Sequence, residues 1–270
     1  FKQKTAYEIM PSLVGAEMCI RDSININNDF GTDASFFNPF GPNFLYYKLQ
    51  PDVLKKALDC IIAYRSDRKY IEELKTTGQI VQGTRSQESQ ENSIVSGEML
   101  PIDQEFQEKH FDNVIQDIIN ISSYNYGLQS AKFSVFDMGM RDMQDEYVKE
   151  IDEDISSLKV SIKDCWFVVL KEGDFHILHE HHYGGAILSG AIYLDVPKKP
   201  WPQGNINWIA NGPSVHMFNS SWGLQPTSGD VFVWPSWLKH TVYPFKGEGE
   251  RIMISFNTTL LSARDKKNDK

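Results

Sequence analysis

The chain has 270 residues, 41% of them hydrophobic, and a net charge of −9. That length suits one large domain or two small ones with a sizeable core, and the negative balance, without a basic stripe, argues against a nucleic-acid groove. No apolar run reaches the roughly 18 residues of a membrane span, and charges interrupt the first thirty positions where a secretory signal would lie. Three widely spaced cysteines, Cys19, Cys60 and Cys165, form no Cys-x-x-Cys pair. They point to a reducing, cytoplasmic compartment rather than a disulfide framework.

In chain order, Pro11–Ser23 resembles the in-frame translation of a sequencing adapter, so residues 1–23 read as non-native. Ser23–Ser35 is polar and expected to be loose, which makes 1–35 a disordered or non-native leader. Phe40–Leu49 reads as a strand. Pro51 opens a helix to about Tyr64, because Val53, Leu54, Ala57, Leu58, Ile61 and Ile62 recur at helical spacing. The polar stretch Ser66–Ser93 reads as a surface loop. A second helix is expected over Asp103–Ser122 on Phe106, Phe111, Val114, Ile115, Ile118 and Ile119, with His110 on its surface. Phe133–Met138 is a possible strand, and Asp142–Ile155 an acidic solvated face.

From Cys165 the pattern changes to short strands separated by turns. They are Cys165–Leu170, Phe175–His181, Ala186–Val196, Gly204–Ala210, Val215–Phe218, Asp230–Trp234, His240–Phe245 and Arg251–Thr259. Eight such strands suggest a double-sheet jelly roll. The expected fold is therefore mainly β with a helical N-terminal half: a double-stranded β-helix, cupin-like, flanked by helices. One domain over 36–262 is expected, helical over 36–160 and jelly roll over 164–260, with a tail at 263–270.

Four of the seven histidines fall within seven positions: His176, His179, His181 and His182. On a strand His179 and His181 point the same way, about 7 Å apart, and Glu180 and His182 point oppositely. Two imidazoles at that spacing suit one metal ion. A lone strand histidine is usually packed or on the surface, and structural zinc prefers closed, Cys-rich sets. No cysteine lies nearby, so His179 and His181 with a distant third ligand fit a catalytic metal with open positions. His240 is the candidate third ligand, and Arg251 follows eleven residues later.

Gly173–Asn257 resembles the iron(II)/2-oxoglutarate-dependent oxygenases, in particular a group from marine bacteriophages and bacteria. The resemblance rests on His179-Glu-His181, Leu188-Ser-Gly-Ala-Ile-Tyr193, Gly204-Asn-Ile-Asn-Trp208, Pro226–Asp230, Pro235–Pro244 and Arg251–Asn257. It implies a double-stranded β-helix, the cofactors Fe(2+), 2-oxoglutarate and O2, and metal ligands at His179, His181 and His240. Position 181 is His where the superfamily has Asp or Glu, so Glu180 or water stands as an alternative third ligand. Arg251 matches the residue that takes the far carboxylate of 2-oxoglutarate, a bidentate pairing that suits a guanidinium. Tyr193 and Ser255 are candidate hydroxyl donors to that carboxylate, and Asn205 and Asn207 candidate linings of the substrate side. Trp208, Trp234 and Trp237 read as core or rim aromatics.

The implied activity is hydroxylation of a small molecule or protein, with release of succinate and CO2, in a bacterial or phage-infected cytoplasm. Two other readings stay open at this point. One is a three-histidine dioxygenase that uses no 2-oxo acid. The other is a non-enzymatic jelly-roll protein, whose histidines would not converge.

Overall fold

Alternating side chains on the chain's long strands separate two apolar layers, and that separation defines the architecture. The computed structural model describes residues 23–24, 34–37, 43–67, 81–82, 85–86, 94–95, 98–101, 114–137, 158–182, 185–210 and 220–261. Its elements are β1 (Ser23–Ile24), β2 (Ala34–Phe37), β3 (Phe44–Lys48), α1 (Pro51–Ser66), β4 (Val81–Gln82), β5 (Arg85–Ser86), β6 (Ile94–Val95), β7 (Glu98–Pro101) and α2 (Val114–Asp137). The second half adds β8 (Lys159–Leu170), β9 (His176–His179), β10 (Leu188–Asp195), β11 (Ile206–Ile209), β12 (Ser221–Leu224), β13 (Asp230–Pro235), β14 (Lys239–Val242) and β15 (Arg251–Leu261).

A nine-stranded sheet runs β1-β2-β3-β13-β10-β15-β8-β7-β4, and a six-stranded sheet runs β12-β11-β14-β9-β6-β5. This is the expected jelly roll flanked by helices. On β15, Ile252, Ile254 and Phe256 join an outer cluster with α1 and α2, including Ala57, Ile61, Ile115 and Ile118. Met253, on the opposite face, joins an inner cluster with Val168, Ala191, Tyr193, Trp208 and Trp234. By the two-residue period, Arg251, Ser255 and Asn257 share that inner face. The layers are therefore helices, large sheet, then small sheet, with the functional candidates between the sheets.

Helix α1 starts on Pro51 at its first turn, carries Asp52 there and Arg65 in its last turn, and buries Val53, Ala57, Ile61 and Tyr64. Both charges complement the helix dipole. The second helix runs well past the expected Ser122. Ser122 donates to Ile118 O at 2.5 Å and shares a 2.7 Å bond with Tyr47 Oη, and Ser123 pairs with Thr258 Oγ1 at 3.0 Å. These satisfied hydroxyls let polar residues occupy the buried stripe, which Tyr126 then continues. Residues 133–137 are accordingly helix, not strand.

Further departures concern the edges. Ser23–Ile24 pairs with Ala34–Ser35, and β2 pairs with β3, so part of the segment expected to be loose extends the large sheet. Within the expected loop 66–93, β4 joins β7 and β5 joins β6. The first half thus mixes strands with its helices. Strand β12 was not anticipated, and the expected strand Val215–Phe218 lies outside the described residues. So do residues 1–22, 102–113 with His110, the acidic stretch 142–155 and the tail 263–270.

Gly190 lies opposite Phe256 in the β10–β15 register, and the fully buried Phe256 ring occupies the place a Cβ would take. Overpacking of that kind costs about 1–3 kcal/mol. Gly190→Ala should lower the unfolding free energy by that amount in urea denaturation. An unchanged midpoint would show that the ring has room to move.

Candidate metal centre

Two cross-strand rungs of the small sheet set the depth of each inward side chain. Trp208 pairs with His240, and His240 with His179; the next rung is Ile206, Val242 and His176. Directly opposed residues share a face, and Ile206, Trp208 and Val242 are in the inner cluster. Between the rungs β14 advances two residues and β9 three. This bulge turns both His176 and His179 inward, although regular alternation would separate residues three apart.

His181 lies just beyond β9, where its backbone N–H donates to Ser236 O at 2.8 Å. Glu180 and His182 meet on the other side at 3.2 Å, as alternation required. One ligating atom from each of His179, His181 and His240 lies within 4.8 Å of the other two. The ring centroids are 4.3 Å apart for His179 and His240, 5.0 Å for His179 and His181, and 5.1 Å for His181 and His240. The three candidate ligands named from the sequence are brought together, and the scatter expected of a non-metal jelly roll is absent.

Hydrogen bonds orient the rings. His179 Nδ1 lies 2.7 Å from Ile177 O and His240 Nδ1 lies 3.1 Å from Leu238 O. Each Nδ1–H donates to its carbonyl, leaving the Nε2 lone pair for a cation. His181 is held differently. Asn257 Nδ2 lies 3.4 Å from its Nδ1, while Ser189 Oγ donates to Asn257 Oδ1 at 2.8 Å. Trp166, which the sequence did not single out, stacks on His181 at 5.5 Å.

Burial pushes all these imidazoles toward the neutral form. His181 is held down to about 3 by burial and then by His179; His240 lies well below its usual value from burial, His179 and His181; His179 is lowered by burial. Neutral imidazole is the form that binds metal.

Deeper in the barrel sits Arg251, 1% exposed. Its Nη1 donates to Gly204 O at 2.7 Å and its Nη2 to Tyr193 Oη at 3.1 Å, with the guanidinium 4.9 Å from the Tyr193 ring centroid. None of its described partners is a carboxylate. Arg251 Nε, Trp208 Nε1, Trp234 Nε1 and His176 Nε2 are buried without a partner among the described residues. Buried donors normally have acceptors, so this interior is chemically suited to an oxygen-rich anion beside a metal. Tyr193 and Ser255 share the inner face with Arg251.

Asn207 does not. It pairs with Gly223 and Thr241, its side chain packs over Gly223, and it donates to the exposed Tyr243 Oη at 3.0 Å. It faces away from the barrel, which corrects its expected place on the substrate side. Asn205 precedes β11 and is buried, 1% exposed. Trp208 and Trp234 are core, and Trp237 is exposed at the rim.

Residues 164–257 match a protein-family model described as "Putative 2OG-Fe(II) oxygenase". Over this segment, about a third of the chain, the protein is similar to the 2OG-Fe(II) oxygenases. Proteins of that family are oxidoreductases that use Fe(2+), 2-oxoglutarate and O2, and the matched segment holds all three convergent histidines and Arg251. No curated protein matches the chain. Among solved structures, a Pseudomonas putida prolyl-4-hydroxylase is 16% identical at TM-score 0.43, covering 80% of this chain and 91% of that one. A Trichoplax adhaerens prolyl hydroxylase, solved with a hypoxia inducible factor peptide, is 13% identical at TM-score 0.44, covering 95% and 94%. The carbocyclase SnoK of nogalamycin biosynthesis is 10% identical at TM-score 0.46, covering 88% and 83%.

The lowered histidine values set a pH dependence. Unfolded imidazoles take up protons below about pH 6.5, whereas folded His181 does so only near 3. The unfolded state binds more protons in between, so the metal-free fold should lose stability as pH falls from about 6.5 toward 3. Urea midpoints across that window should drop, and drop less in His181→Gln. Equal slopes for the two proteins would contradict the assignment.

Proposed function

We propose that this chain is an iron(II)- and 2-oxoglutarate-dependent dioxygenase that hydroxylates a small molecule or a protein, releasing succinate and CO2, in one domain over 36–262. The observation that carries the reading is a single interior with three converging imidazoles at one depth and a buried, carboxylate-free Arg251 at another.

In this reading His179 and His240 hold the metal through Nε2, with Nδ1 fixed on backbone carbonyls. His181 supplies the third ligand, and Asn257 orients its ring. Glu180 is engaged with His182 on the opposite side, which argues against it as the ligand. Arg251 takes the far carboxylate of 2-oxoglutarate through its guanidinium, beside the Tyr193 hydroxyl. Ser255 shares that face, one alternation beyond Met253. Iron, 2-oxoglutarate and O2 supply the oxidising power when bound. The inner aromatic residues keep water away, and the fixed donors orient the co-substrate without reorganisation.

A three-histidine dioxygenase without a 2-oxo acid would leave the Arg251 cation buried with no anion, a costly arrangement. Three neutral imidazoles also leave the metal's double charge uncompensated by protein. The dianionic co-substrate should therefore bind more tightly with metal present, and the metal more tightly with co-substrate, by the same factor.

Two outcomes test this reading. Arg251→Ala should weaken 2-oxoglutarate binding to the iron-loaded protein by about 3 kcal/mol, roughly a hundredfold, with iron affinity nearly unchanged. Equal calorimetric affinities would exclude Arg251 from the role. His181→Ala should lose iron affinity, most severely when 2-oxoglutarate is absent. Wild-type affinity in that variant would remove His181 from the ligand set.

A further inference from the structure

Among the described residues, His176 is the one inward histidine outside the convergent cluster. It is 7% exposed, and its Nε2 has no partner among the described residues. The β9 bulge brings it to the inner face, on the rung of Val242 and Ile206, one step deeper than His179 and His240. Its ring centroid is 5.9 Å from that of His179. Arg251 is close enough to act electrostatically on His176, and its guanidinium is tied to Gly204 O, two residues before Ile206 on the His176 rung. Buried donors without partners on neighbouring rungs call for an acceptor that spans them.

We infer that His176 is a binding residue for the co-substrate: its Nε2–H donates to the far carboxylate held by Arg251. The inference rests on the 2-oxoglutarate reading and assigns to that site a donor the sequence motifs did not include. A carboxylate has two oxygens and about four lone-pair positions. Arg251 and Tyr193 leave room for a third donor. A neutral imidazole suits the place, because burial beside His179, Arg251 and His181 disfavours a second cation there and holds His176 down to about 3. Its Nε2 proton then remains available as a hydrogen-bond donor without adding charge.

The same geometry separates His176 from the metal ligands. It is not among the three histidines whose ligating atoms converge, so replacing it should spare the metal. A purely packing role for the ring would be preserved by phenylalanine, which matches its shape but cannot donate.

The test titrates 2-oxoglutarate into the iron-loaded protein without oxygen, by calorimetry, with iron affinity measured separately. His176→Phe should weaken 2-oxoglutarate about tenfold or more, His176→Gln should retain most of the affinity, and iron affinity should stay within about twofold in both. The effect should shrink in an Arg251→Ala background, since neighbours in one network are not additive. If neither variant folds, nitrogen-15 spectra of the zinc-loaded wild type decide: adding 2-oxoglutarate should shift the His176 Nε2 resonance and slow exchange of its proton. Wild-type affinity in His176→Phe, a loss of iron affinity in it, or an unmoved Nε2 resonance would overturn the inference. A wild-type protein that binds no 2-oxoglutarate would sink the functional reading together with it, whereas tight wild-type binding with an indifferent His176→Phe sinks this inference alone.

Discussion

A guanidinium buried to 1% exposure with no carboxylate among its described partners is the constraint around which the rest of the barrel is arranged. Burial of a cation is unfavourable unless it is paired or hydrogen-bonded. Here Gly204 O and Tyr193 Oη supply two neutral acceptors, and the Tyr193 ring face adds its quadrupole. These contacts keep Arg251 in place without neutralising it. In the proposed reading an incoming dianion completes the pairing, and part of its binding energy is held in this unsatisfied interior. Tyr193 and Arg251 sit on strands paired through the Tyr193–Met253 rung, which makes their spacing a property of the large sheet and not of a loop.

The histidine cluster depends on the small sheet in a complementary way. His240 and His179 are opposed residues on neighbouring strands, and backbone carbonyls two residues upstream fix each ring. His181 lies past the strand end and relies on Ser236 O for its backbone and on Asn257 for its ring. Asn257 belongs to β15, as Arg251 does, six residues apart. One strand of the large sheet therefore supports the third candidate ligand at one end and the candidate carboxylate donor at the other. The two sheets meet chemically across the cluster, and the inner aromatic group of Phe44, Trp208, Phe232 and Trp234 closes the space beside it.

Much of this was legible in the sequence. The His179-Glu-His181 spacing, the isolated His240 and the strand position of Arg251 pointed to one interior, and turn residues divided the second half into strands. What stayed hidden follows from non-local physics. His176 appears inward only because of a bulge, which no period-two pattern contains. Asn207 was misplaced because Asn205 and Asn207 seem to share a face, whereas the rung through Trp208 and His240 fixes the inner face on the even-numbered positions. The length of α2 escaped because Ser122 and Ser123 look like a helix end until Tyr47 and Thr258 are seen to pair with them. Trp166 carried no local signal; its stacking on His181 joins residues fifteen apart in sequence, one on β8 and one past the end of β9.

The central claim is that one interior binds a metal at the three imidazoles and a dicarboxylate at Arg251. Anomalous diffraction at the metal edge, from crystals grown without oxygen with ferrous iron and 2-oxoglutarate, tests it most directly. The account predicts a single strong peak at bonding distance from ring nitrogens of His179, His181 and His240, with carboxylate density against the Arg251 guanidinium. A peak on Glu180 and His182 instead, or an Arg251 still without an anion at saturating 2-oxoglutarate, would contradict it.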